Sequence, residues 1–139
     1  MSKQVIAFWQ LDADNVVVPV PHSGEPVMGM LKLLQRALMV FLQEQDTAAY
    51  GFKQTGCSFM SYLRAGILRS EMDVHAHFAL ARHALFATLR KGETADTPDD
   101  ECFLDIVLSG ITLMQKMMLL KITLTSKSAK LEFKLPIVL

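Results

Sequence analysis

The sequence predicts an α+β fold in which two terminal β-hairpins form one four-stranded antiparallel sheet packed against about four α-helices. Three observations predict it. Both ends of the chain alternate apolar and polar residues in the manner of strands, the middle carries helical spacing, and polar or proline-bearing runs separate the segments. A chain of 139 residues suits a single domain over 1–139.

The first hairpin is expected over 3–20. Residues 4–11, QVIAFWQL, are rich in β-branched and aromatic side chains, DADN suits a turn, and VVVPV (16–20) returns. Pro19 has no N–H to give a ladder, so it belongs at an edge or a strand end. HSGEP (22–26) is a break, and Pro26 suits the first turn of a helix over about 26–45. On that helix Lys32, Arg36 and Gln43 share one narrow stripe, with Gln35 beside it. Leu31, Leu33, Leu34, Leu38, Val40, Phe41 and Leu42 cover the rest.

A second helix is expected over about 58–69, with Phe59, Leu63 and Ile67 on its inner face. The third is expected over about 71–90. Ser70 and Asp73 have the spacing of a capping box, and Val74, Phe78, Ala81 and Leu85 form one face. KGETADTPDDE (91–101) is a loop that ends in a helix-start signal: Thr97, then Pro98, then acids suited to the positive end of a helix dipole. A fourth helix is therefore expected over about 98–117. Asp105, Ser109, Thr112 and Lys116 would form its only polar stripe. The second hairpin, 118–139, alternates on both sides of KSA. Lys121, Thr123 and Thr125 oppose Ile122 and Leu124, and Lys130, Glu132 and Lys134 oppose Leu131, Phe133 and Leu135.

Composition excludes several classes. Hydrophobic residues make up 51% of the chain and charged residues 20%, which is too apolar for global disorder. Fourteen basic residues balance fourteen acidic ones, so no bulk charge draws the chain to nucleic acid or anionic lipid. The stretch 102–120 approaches the length of a membrane span, but Asp105 and Lys116 within it are costly in lipid, so it reads as a core helix and no membrane partner is expected. The start has no signal-peptide pattern, and Cys57 and Cys102 lack CxxC spacing. The expectation is a cytoplasmic protein with two free thiols.

Chemistry-bearing residues are most concentrated in SEMDVHAHFALARH (70–83). A helical chelate needs ligands one turn apart, whereas His75 and His77 lie about 200° apart on a helix and His83 is more than a turn beyond. No metal site and no cofactor are expected. GxGxxG, GxxxxGK[ST] and GxSxG are absent, and Asp96, Asp99, Asp100 and Glu101 are accounted for as a helix start.

The expected function is therefore non-enzymatic. The chain is read as a protein-binding or assembly subunit, self-associating as a homodimer or seated in a larger assembly. It would act through apolar helical surface that includes Met30, Leu34, Phe41, Met114, Met117 and Met118. The alternative is a nucleic-acid-associated accessory protein. It would use Lys121, Lys127, Lys130 and Lys134 of the C-terminal hairpin and the arc of His75, Arg82, His83 and Arg90. A third reading is an enzyme with Cys57 as nucleophile, His77 as base and Asp73 as its orienting group.

Overall fold

The computed structural model describes residues 5–6, 8–20, 25–42, 59–64 and 70–138. The chain divides into two compact units, one made of 1–36 with 93–139 and the other of 37–92.

The first unit is mainly β. Strands β1 (Val5–Ile6) and β4 (Pro26–Val27) form one antiparallel pair, and β2 (Trp9–Leu11) and β3 (Val17–Pro19) form another. The turn between β2 and β3 is closed by Asp12, whose carboxylate accepts the N–H groups of Asp14 and Val16. Asn15 takes a positive φ of 59°, a region that asparagine tolerates better than most residues. The principal sheet is a meander in the order β5–β6–β7: Phe103–Met114, Met117–Ser126 and Lys130–Val138. Its inner face buries Met118, Leu120, Ile122 and Leu124 of β6 and Phe133, Leu135 and Ile137 of β7. Each such apolar side chain contributes about 1.5–3 kcal/mol on burial.

This arrangement corrects the expected fold. The class is α+β, but the described residues do not form about four helices on a four-stranded sheet. The terminal hairpins do not share an antiparallel sheet. They meet through one parallel bridge, Val16 to Lys134, where the Lys134 N–H donates to the Asn15 carbonyl at 2.8 Å. The helix expected over 98–117 is a 3-10 turn, Asp99–Glu101, followed by β5. Register explains why. On β5 the residues opposite buried β6 positions are Phe103, Ile106, Leu108, Ile111 and Leu113. Register shifts at Phe103/Asp105 and Leu108/Gly110 stretch the strand period from two to three at those points, which imitates helical spacing in a one-dimensional reading. Met114 pairs directly with Met117, so Gln115 and Lys116 form a two-residue turn, with Lys116 at φ 63°.

Helix α1, Met30–Leu42, begins later than Pro26 suggested, because Pro26 belongs to β4. Gly29 precedes it at φ 67°; its carbonyl accepts the Leu33 N–H at 3.1 Å, and its own N–H donates to Glu101 Oε2 at 3.3 Å. Of the narrow polar stripe expected to be wet, Lys32 and the adjacent Gln35 are buried and Arg36 is half-buried, while Gln43 lies outside the described residues. Gln35, with no exposed surface, accepts the N–H groups of Phe8 and Trp9 and donates to the Trp9 carbonyl at 2.8 Å, so its amide pairs with β2 as a short strand would.

The second unit is helical in its described part. Here α2 (Phe59–Arg64) and α3 (Glu71–Lys91) meet the end of α1. Phe41 of α1 lies 4.8 Å from Phe59 and 5.6 Å from Phe78 between ring centroids, so one phenylalanine from each helix forms the core. Ser70 caps α3, its hydroxyl accepting the Asp73 N–H as the capping-box spacing predicts. The inner face of α3 is Val74, Phe78, Ala81, Leu85 and Leu89. No helix among the described residues is long and apolar enough to cross a membrane.

Candidate functional site: the outer face of the C-terminal sheet

Strand pairing sorts the outer face of the β5–β6–β7 sheet into rows, because directly opposed residues share a face. Starting at the Gln115–Lys116 turn, the first row is Met114, Met117 and Val138, and the second is Thr112, Leu119 and Pro136. The third is Gly110, Lys121 and Lys134, the fourth Val107, Thr123 and Glu132, and the fifth Asp105, Thr125 and Lys130. The face is thus apolar at one end and charged at the other. At the apolar end Met114 is 53% exposed and Val138 78%, with Met117, Leu119 and Pro136 half-buried. Leu113, turned toward the inner side at the same end, is 60% exposed.

The six residues expected to form a protein interface separate on this structure. Leu34, Phe41 and Met118 are buried within the chain, and Met30 is half-buried on α1. Met114 and Met117 come together as cross-strand neighbours, but on strands rather than on a helix. Sequence reasoning missed their companions Leu119, Pro136 and Val138, which the strand register supplies. The signal was present in the alternation of 117–125 and 130–138, once 103–114 is read as a third strand beside them.

At the charged end Lys121 and Lys134 face each other across β6 and β7, a like-charge pairing that a sheet ordinarily avoids. With Asp14, Asn15, Glu132 and Phe133 they line an open cleft of about 210 Å³. Lys130 lies opposite Thr125, and Lys127 is exposed at the β6–β7 turn. The four hairpin lysines therefore spread along the face and its end rather than converging on one point.

The arc expected on α3 is in place. His75, Arg82, His83 and Arg90 are all exposed. Between the two arginines lies Phe86, with the Arg82 guanidinium 5.0 Å and the Arg90 guanidinium 4.7 Å from its ring centre. His77 and Asp73 sit on the same helix, while Cys57 lies outside the described residues, so the proposed thiol–imidazole pairing has no geometry to weigh. The other thiol, Cys102, is buried and donates to the Thr97 carbonyl at 3.5 Å. Burial pushes its pKa up, and the nearby Glu93 carboxylate adds to the shift, so Cys102 is poorly suited to be a nucleophile. Among the described residues no three His, Cys, Asp or Glu side chains are grouped as metal ligands.

One polar cluster was not foreseen. The Lys32 ammonium lies 3.0 Å from Glu101 Oε1, and both side chains are almost wholly buried. Arg36 donates to the Glu101 carbonyl at 3.0 Å and approaches Glu93 at 3.9 Å, while Glu93 accepts the Phe103 N–H. The contacts of Lys32 and Arg36 tie α1 to the segment leading into β5, and the Glu93–Phe103 bond braces that segment. Its Lys32–Glu101 pair is buried and its Arg36–Glu93 end is half-buried, so the cluster is an anchor for the fold rather than an open site. The chain matches no protein-family model, no curated protein and no solved structure.

Proposed function

We propose that this chain is a non-enzymatic cytoplasmic protein that binds protein and associates with itself through the apolar end of the sheet's outer face. The observation that carries the reading is the pair of neighbouring rows Met114–Met117–Val138 and Thr112–Leu119–Pro136, in which exposed Met114 and Val138 flank half-buried Met117 and Leu119 to make one continuous apolar patch. Methionine suits such a surface because its unbranched, polarizable side chain adapts to a partner. A formal net charge of zero adds little repulsion between copies. Light scattering at micromolar concentration, together with a pull-down on the tagged chain, tests the proposal. The expected result is a mass above that of the monomer or a stoichiometric partner retained on washing. A strict monomer that retains nothing overturns it.

A second reading rests on the Arg82–Phe86–Arg90 ladder, which places two guanidiniums around an aromatic ring on a helix face that also bears His75 and His83. This arc, and separately the hairpin lysines, each fit an accessory role on nucleic acid, where arginine meets phosphate and stacks on bases. Fluorescence anisotropy of labelled single- and double-stranded oligonucleotides at low salt decides it. Unchanged anisotropy removes this reading.

A further inference from the structure

We infer that the distal half of β5, residues 109–114, pairs antiparallel with the same segment of a second copy, joining two three-stranded sheets into one of six strands. The inference rests on the self-association proposed above and names its partner and geometry. β5 is an edge strand: its only ladder among the described residues is with β6. Its two halves differ. In the proximal half the edge is blunted, since Glu93 accepts the Phe103 N–H, the Asp105 carboxylate accepts the Ile106 N–H at 2.7 Å, and a register shift follows at Leu108/Gly110. The distal half, SGITLM, carries no charge and no proline, and from Gly110 onward its register is unbroken. It therefore lacks the devices by which edge strands avoid pairing, and its backbone offers a row of donors and acceptors to a neighbour.

The pattern of the segment fits its own reverse. Antiparallel pairing about Thr112 sets Thr112 against Thr112, Ile111 against Leu113, and Met114 against Gly110. Apolar side chains then meet on the inner side, and a long methionine crosses a residue without a side chain on the outer side. The one charge of β5, Asp105, lies outside the paired segment and never faces its copy, whereas parallel in-register pairing would place Asp105 on Asp105. The charge pattern thus selects a second copy in antiparallel orientation. The same addition covers part of Leu113 and Met114, the most exposed apolar residues of β5.

The test is Thr112→Cys in the otherwise native chain, oxidised with diamide, with linked peptides assigned by mass spectrometry. Lys121→Cys on the central strand is the exposed control. The expected result is a wild-type chain that is dimeric by light scattering, and a 112–112 disulfide in Thr112→Cys that forms many-fold faster than the 121–121 disulfide in Lys121→Cys. Association of the wild-type chain with no preference for the 112–112 link in the Thr112→Cys variant overturns the edge pairing and leaves the apolar-face proposal standing. A monomeric wild-type chain overturns the edge pairing outright. Should Thr112→Cys lose its circular dichroism signature, amide exchange of the wild-type chain decides. Protection within 109–114 that rises with protein concentration supports the pairing, and protection independent of concentration overturns it.

Discussion

At the scale of the residue, the most consequential contact is one the sequence conceals. Lys32 and Glu101 are sixty-nine positions apart, and nothing local marks them as partners. Lys32 sits on a polar stripe that reads as the wet side of a helix, and Glu101 in an acidic run that reads as a helix start. Burial makes the pair asymmetric in its energetics. Glu101→Gln leaves a buried ammonium without its counter-charge, and the expected loss of stability in urea unfolding is about 3–5 kcal/mol. Replacing both partners, as in Lys32→Met with Glu101→Leu, removes the desolvation cost together with the attraction, so the double variant is expected to recover most of that loss. A single variant within about 1 kcal/mol of the wild type would mean that water reaches the pair and that it behaves as a surface ion pair.

At the scale of the element, local signals were legible where one physical period ran unbroken. The α3 segment has its cap at Ser70 and its apolar face at 74, 78, 81 and 85, and both are realised. The alternation of β6 and β7 is realised as well, down to the lysines on the outer side. The failure within a single element is sharpest at 98–117, where a helix-start signature produced only a three-residue 3-10 turn and where two register shifts disguised a strand; the shared terminal sheet and the helix start at Pro26 failed as well. Sheet pairing is nonlocal: β5 is specified by the ten-residue β6 that folds back upon it, and no window within β5 contains that information. Two positive-φ positions at element ends give opposite expectations. Gly29→Ala forces a side chain into the left-handed region, at a cost of about 1–2 kcal/mol, and sets a Cβ 2.7 Å from Asp100 Oδ2, which must turn aside. Lys116→Gly relieves the same kind of strain in the β5–β6 turn, and the gain of up to about 1 kcal/mol is reduced by the greater freedom of glycine in the unfolded chain. Thermal unfolding of the two variants beside the wild type measures both.

At the scale of the whole molecule, the sequence conveyed an excess of apolar surface but not where it is exposed. Leu34, Phe41 and Met118 were indistinguishable from Met114 by residue type and by neighbourhood. The difference is that the first three face cores, whereas Met114 stands at the open end of a sheet. That difference can be tested by charge insertion. Met114→Glu and Val138→Glu place a carboxylate on exposed positions, so unfolding free energy is expected to stay within about 0.5 kcal/mol of the wild type. Self-association through this face then weakens by about tenfold or more, since each charge must be desolvated in the complex without a partner. Met118→Glu, one position from Met117 but on the inner side, is expected to unfold the chain, because the carboxylate would replace a side chain that is 1% exposed. Sedimentation velocity read beside thermal melts separates the outcomes. Loss of association in both variants with stability retained locates the interface on the outer face, and loss in Met114→Glu alone locates it at the β5 edge. Association unchanged in both exposed variants removes that face from the interface, whatever the oligomeric state of the wild type.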